Sequence, residues 1–229
     1  MSCCGHCRDA NDFFSERTAR GDLKKYMRRG PDKQTNLLVE SIRKTGINGE
    51  TLLDVGGGIG AIQLELFKYG ISKSVNVDAS TAYQAVSKEE VSKRGLDAKT
   101  EYYFGDFTSM APSLPEADIV TLDKVICCYP DMKKLLQLSL GKSGKIYGLV
   151  YPRVNRFTKL GFWLINFWFR IRSSEFRTYL HSPSLVNEII SNQGFRNISN
   201  RKTFLWEVAV YKRGGGNRKT DEQNNRVTE

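Results

Sequence analysis

The sequence predicts an α/β protein: a doubly wound, Rossmann-like sheet of seven strands, mostly parallel, closed by a C-terminal antiparallel hairpin. Three observations predict it. Short apolar runs alternate with helix-length segments through residues 31–151, the pattern of successive βαβ units. The run TLLDV at 51–55 passes straight into the glycine-rich turn GGGIG at 56–60. Finally, two strand-like runs near the end have no helix between them, and so short a link implies antiparallel pairing at a sheet edge.

The elements follow in order. Residues 31–45 read as a helix with Pro31 in its first turn and Gly46 after its end. After the strand at 51–55 come a helix at 59–69 closed by Gly70, a strand at 74–78, a helix at 80–94 closed by Gly95, and a strand at 100–104. The run ADIVTLD at 117–123 is nearly all apolar, as a central parallel strand covered on both faces should be. A helix at 131–140 and a strand at 145–151 complete the alternation. The last third holds an aromatic segment, a helix at 183–192 with Ser182 as its N-cap and Gly194 beyond its end, and strands near 196–200 and 203–212. Residues 1–20 and 213–229 are polar with little to bury and read as flexible ends flanking one domain at 21–212, with 155–180 as an aromatic insertion.

At 229 residues the chain is long enough to bury the core of one such sheet. A formal net charge of +10 suits an acidic partner, whether nucleic acid, an anionic membrane surface or a carboxylated small molecule. The five cysteines fall in two tight clusters, Cys3, Cys4 and Cys7 with Cys127 and Cys128, a spacing that staples no loop and suggests a reduced, cytoplasmic protein without a secretory leader. The stretch Cys3-Cys4-Gly5-His6-Cys7 lacks a second half-site, so no metal is assigned to it. The uncharged run at 160–169 is about half the ~20 residues a membrane-spanning helix needs.

The glycine turn at Gly56, Gly57, Gly58 and Gly60 lets backbone approach a ligand, and a helix N-terminus follows it. Gly56, Gly58 and Ala61 satisfy even the dinucleotide pattern. Against a dinucleotide stands Asp54, which would repel a pyrophosphate and welcome a cationic amino-acid moiety. Asp78 ends the second strand where a ribose-binding carboxylate belongs, and Asp106 after the third strand can accept from an adenine amino group, with Phe107 to pack on the ring. The closing hairpin, too, is foreign to a dehydrogenase.

On these residues, across about 30–212, the chain resembles the class I S-adenosylmethionine-dependent methyltransferases. The resemblance implies that Gly56 and Gly58 wrap the methionine portion of S-adenosyl-L-methionine, that Asp78 holds the ribose, and that Asp106 and Phe107 meet the adenine. The donor site it implies also takes in Asp54, Gly60, Ala79, Asp123 and Arg29. The phrases DKVICCYP at 123–130 and YMRRGP at 26–31 are similar to small-molecule methyltransferases, loosely including the magnesium-protoporphyrin enzymes, which carry a His where Cys128 stands here.

Methyl transfer from a sulfonium is an in-line displacement that asks mainly for alignment in a dry pocket. A hydroxyl acceptor also needs a base, and the candidates are Asp123, Tyr129 and His181. The segment NRFTKLGFWLINFWFRIRS at 155–173 reads as a helix with Lys159, Asn166 and Arg170 on a narrow polar stripe, apolar elsewhere: a lid over a hydrophobic substrate, an interfacial helix, a dimer face, or ordinary packing. The reading is a methyltransferase of a small hydrophobic acceptor, for which a carboxylate would suit the basic charge. An RNA methyltransferase is the alternative, disfavoured because Cys-Cys-Tyr-Pro, and not an Asn/Asp-Pro-Pro-aromatic motif, follows the fourth strand. A non-catalytic adenosyl-ligand module is the other.

Overall fold

The computed structural model describes residues 14–214. Its elements are α1 (Glu16–Arg29), α2 (Lys33–Arg43), β1 (Thr51–Val55), α3 (Ala61–Lys68), β2 (Lys73–Asp78), α4 (Thr81–Lys93), β3 (Thr100–Phe104), a single-turn α5 (Phe107–Met110), β4 (Ala117–Asp123), α6 (Met132–Lys142), β5 (Ser143–Pro152), α7 (Arg156–Ile171), α8 (Pro183–Asn192), β6 (Phe195–Lys202) and β7 (Trp206–Arg213). The seven strands run in the order β3-β2-β1-β4-β5-β7-β6. β1 to β5 are parallel to their neighbours, whereas β7 lies antiparallel between β5 and β6. The expected seven-stranded sheet and its closing hairpin are both present. Its strand order reverses between β1 and β4, which opens a crevice at their carboxyl ends.

Alternation along the strands feeds two apolar layers. In β4, Ile119 joins Leu38 and Ile42 of α2 on one face, while Val120 and Leu122 join Leu135, Leu136 and Leu140 of α6 on the other. α2 packs closely on the sheet at Gly148 of β5, where an added Cβ would lie 2.8 Å from Leu38 Cδ1 and 3.2 Å from Ile42 Cδ1, so a larger residue there would displace the ends of those side chains.

Several boundaries differ from the sequence reading. α1 begins at Glu16, inside the stretch read as an irregular end. Only Ala19 and Tyr26 of α1 are fully buried, too few to declare a helix by periodicity. α2 starts at Lys33 because Asp32 caps it, accepting from the Gln34 and Thr35 amides at 3.0 Å each, and Pro31 therefore precedes the helix. Ser182 does precede α8 but makes no side-chain cap, its hydroxyl lying 2.7 Å from that of Ser184. β7 starts at Trp206, since the Thr203 side chain and backbone close a turn onto Trp206. Among the described residues, no helix is long and apolar enough to cross a membrane.

Candidate active site

A cavity of about 1000 Å³ occupies the crevice. Its floor is the ends of β1, β2 and β4 with the glycine turn, and Asp54, Gly56, Gly58, Asp78, Ala79, Asp106, Phe107 and Asp123 all line it, as does exposed Arg29 at the lip. The turn is held by Gly56 N–H donating to the Val77 carbonyl at 2.7 Å. Gly56 has φ +67°, and a Cβ there would stand 2.5 Å from Val125 Cγ2, so the chain can pass only as glycine. Gly60 is not among the lining residues. It is the left-handed residue just before α3, with φ +79°.

Asp54 is 1% exposed. One carboxylate oxygen accepts from the Thr121 hydroxyl at 2.7 Å, while Oδ2 is buried with no hydrogen-bond partner. Burial, with Asp123 and Asp78 adding like charge, lifts its pKa to about 7. Asp78 is better provided: its oxygens accept from the amides of Gly58 at 2.8 Å and Ser80 at 2.7 Å. Burial still raises its pKa, against the pull of those amides.

Asp106 lines the cavity and is also engaged within its own turn. It caps α5, accepting from the amides of Thr108 and Ser109 and the hydroxyls of Thr108, Ser109 and Tyr129. These partners occupy most of the acceptor sites of the carboxylate, which holds the turn in place. Despite the cost of partial burial, these bonds keep its pKa below the usual carboxylate range. Phe107 is buried in the core while still lining the cavity.

Tyr129 and Asp123 take different places. The Tyr129 hydroxyl donates to Asp106 at 2.5 Å and lies 2.6 Å from the Thr108 hydroxyl, which makes it part of the Asp106 turn. Asp123 Oδ2 accepts from the Thr35 hydroxyl at 2.5 Å, and Oδ1 forms an ion pair with the Lys124 ammonium at 3.3 Å. Burial raises the pKa of Asp123, and Lys124 opposes the rise.

Lys124, Thr35 and Asp32 complete a cluster that the sequence reading missed. Lys124 Nζ pairs with Asp32 at 2.6 Å, stands 3.4 Å from the Thr35 hydroxyl and lies 5.8 Å from the Trp206 ring centroid. Lys124 itself adopts φ 62°, a conformation that costs a non-glycine residue energy and that clusters at functional turns. Its carbonyl receives both Cys127 Sγ at 3.3 Å and Cys128 Sγ at 3.8 Å, and the two sulfurs lie 3.7 Å apart. An acid followed by Lys at a strand end was the available signal, but only the fold brings α2 beside it.

The roof is aromatic. Phe14 packs edge-on against Tyr83 and Phe176, and Phe176 against Phe169 of α7. α1 is tied down through Tyr26, which donates to Glu65 at 2.7 Å, and Asp22, which accepts from Tyr83 at 2.6 Å. Phe162, Ile165 and Phe169 put one side of α7 into the cavity. Asn166 is not on a polar outer stripe: its amide bonds both the N–H and the carbonyl of Thr178. His181 is not brought to the cavity. Its Nε2 donates to the Ile126 carbonyl at 2.8 Å and its ring stacks on Tyr179, while burial lowers its pKa. Cys3, Cys4, His6 and Cys7 lie outside the described residues.

A family model described as the O-methyltransferase domain matches residues 11–141. The chain belongs to that family. It is thereby a class I S-adenosylmethionine-dependent methyltransferase by descent and fold. Magnesium protoporphyrin IX methyltransferase of Synechocystis PCC 6803, solved with bound SAM, is similar in fold: TM-score 0.69 at 14% identity, covering 93% of this chain and 100% of that one. A family 2 O-methyltransferase from Planctomyces limnophilus in complex with apigenin has TM-score 0.62 at 16% identity, covering 87% of this chain and 62% of that one. The ribosomal protein L11 methyltransferase of Klebsiella pneumoniae is 23% identical over 120 residues, 52% of this chain, which spans only 40% of that protein's length.

The residues of this methyltransferase fit the family's donor. The buried Asp54 Oδ2 without a partner suits an ammonium group, and the glycine turn supplies a backbone wall with no side chains. Asp78 stands fixed by two amides at the next strand end, and Phe107 offers a ring in the same cavity.

Proposed function

We propose that this chain transfers the methyl group of S-adenosyl-L-methionine to an oxygen of a small, hydrophobic acceptor that carries a carboxylate. The observation that carries the proposal is a single cavity with a partnerless buried carboxylate in its floor and an aromatic roof. When bound, the sulfonium donor supplies an electrophilic methyl group. Asp54 and the glycine turn would hold its amino-acid end, Asp78 its ribose, and Phe107 its adenine face. Asp106 would act indirectly, by fixing the turn that carries Phe107.

The acceptor would lie between the Asp123 end of β4 and the wall made by Phe162, Phe169 and Phe176. Lys25, Arg29 and Lys33 at the lip supply the positive charge that favours a carboxylated acceptor. For a hydroxyl acceptor, the residue placed to take the proton is Asp123, since Tyr129 is engaged with Asp106 and His181 stands outside the cavity. Burial strengthens its hold on a proton, which suits a general base better than an ordinary carboxylate. The aromatic roof would limit the access of water to the transfer.

Thermal melts with S-adenosylhomocysteine and with NAD test the donor, and mass spectrometry of extracts treated with a methyl-labelled donor tests the acceptor. Stabilisation by S-adenosylhomocysteine and a labelled carboxylated small molecule are expected. Stabilisation by NAD alone, or label found only in RNA, would overturn the proposal.

A further inference from the structure

α7 is a wall with two apolar sides. Its inner side faces the cavity through Phe162, Ile165 and Phe169. Its outer side presents Phe157, Leu160, Trp163, Leu164, Phe167 and Ile171 to solvent, with Phe157 65%, Trp163 61% and Ile171 67% exposed. At 100° per residue these six span one continuous arc. The tip of the β6–β7 hairpin extends it. Phe204, 65% exposed, rests against Phe157 with ring centroids 5.2 Å apart, and Asn155 bonds the Phe204 carbonyl. Two elements far apart in sequence thus pool their exposed aromatic side chains, which a soluble surface does not otherwise favour.

The charge around this face is mostly positive. From Met132 to Ser174 the chain contains no Asp or Glu. Arg156, Lys159 and Arg170 are exposed along the edge of the arc and join none of the ion pairs among the described residues. Arg201 flanks the hairpin tip beside Lys202, which is 3.9 Å from a Glu207 carboxylate oxygen, and Arg172 lies over the Trp168 ring at 4.2 Å. A second copy docked on this face about a two-fold axis would set these cations against their own kind, with no carboxylate in the segment to answer them.

We propose that the outer face of α7, with the hairpin tip at Phe204, docks on an anionic lipid bilayer. The aromatic side chains sit at the headgroup level and the flanking arginines and lysines meet lipid phosphates and carboxylates, the arrangement of an interfacial helix lying in the membrane plane. The proposal goes beyond the methyl-transfer reading and does not depend on it, because docking is measured without donor or acceptor.

The test is co-sedimentation of the full chain with phosphatidylcholine vesicles, with and without phosphatidylserine, together with tryptophan quenching by brominated acyl chains. Expected are pelleting that requires phosphatidylserine and weakens with added salt, and quenching that is lost when Trp163 is replaced. Both Trp163→Ser/Phe167→Ser and Lys159→Glu/Arg170→Glu should weaken vesicle binding at least about tenfold at an unchanged melting temperature. The charge-reversal pair changes exposed polar positions only and carries the test if the apolar pair misfolds. Protein that stays in the supernatant with both vesicle types, or binding unchanged in the charge-reversal pair, would overturn the proposal. So would a concentration-dependent dimer that Trp163→Ser/Phe167→Ser abolishes, because a second copy would then cover the face.

Discussion

Replacing Asp54 with asparagine separates what this carboxylate costs the fold from what it does for donor binding. Its folded pKa is raised from 3.8 to about 7, so it holds a proton more tightly folded than unfolded. The stability that follows is complete below pH 3.8 and is lost as pH climbs to about 7. At about 1.36 kcal/mol for each tenfold change in proton affinity, the loss across that window is about 4 kcal/mol. Asparagine keeps an oxygen for the Thr121 hydroxyl but leaves a buried amide without an acceptor, at a cost of about 1–3 kcal/mol. At pH 8, Asp54→Asn should therefore be more stable than the parent by about 1–3 kcal/mol, or about 2–10 °C in melting temperature for a domain of this size. At pH 5 the relief falls to about 2 kcal/mol and the net gain to about zero. The same variant should bind S-adenosylhomocysteine about 100-fold more weakly, since its ammonium loses a buried counter-charge. Calorimetric melts at the two pH values and titration calorimetry at pH 8 read both effects. A variant that melts below the parent by equal amounts at pH 5 and pH 8, or that keeps the parent affinity, refutes the reasoning.

Three further outcomes are expected. Asp123→Asn should lower the methyl-transfer rate on a hydroxyl acceptor by about 10²–10⁴ and flatten the limb that rises with pH, because the raised pKa of Asp123 marks the group that must be ionised; an unchanged pH–rate profile would remove it as the base. Tyr129→Phe takes one strong donor from Asp106 and should cost about 1–2 kcal/mol of stability in denaturant melts while sparing most of the turnover, and loss of turnover with intact donor affinity would instead make Tyr129 the base. Asp78→Ala leaves the Gly58 and Ser80 amides without their acceptor, so S-adenosylhomocysteine affinity should collapse in calorimetry; unchanged affinity would show the ribose assignment to be mistaken.

The floor of the site was legible in the sequence because each floor residue is fixed by its own strand. Asp54 stands one residue before the end of β1, Asp78 and Asp123 end β2 and β4, and parallel pairing brings those ends to one edge without further information. The roof was not legible. α1 buries too little to show a helical period and is held by pairs such as Tyr26 with Glu65 and Tyr83 with Asp22, 39 and 61 residues apart. His181 looked like a base by residue type alone, and only the path of the loop before α8 turns it toward the Ile126 carbonyl. The left-handed turn at Lys124 carried no warning, since lysine is not a residue that announces positive φ.

The close seat of α2 on β5 turns ordinary packing into alignment. Leu38, which a side chain at position 148 would strike, lies one turn along α2 from Thr35, whose hydroxyl meets Asp123. The missing methyl group at Gly148 therefore acts as a spacer of zero thickness, a gauge for the height of the whole helix above the sheet. In a Gly148→Ala chain the ends of the Leu38 and Ile42 side chains must shift, and any lift of the helix that accompanies them would move Asp32 and Thr35 relative to Lys124 and Asp123 together. The register between the helix and the end of β4 is thus set at a glycine that does not line the cavity.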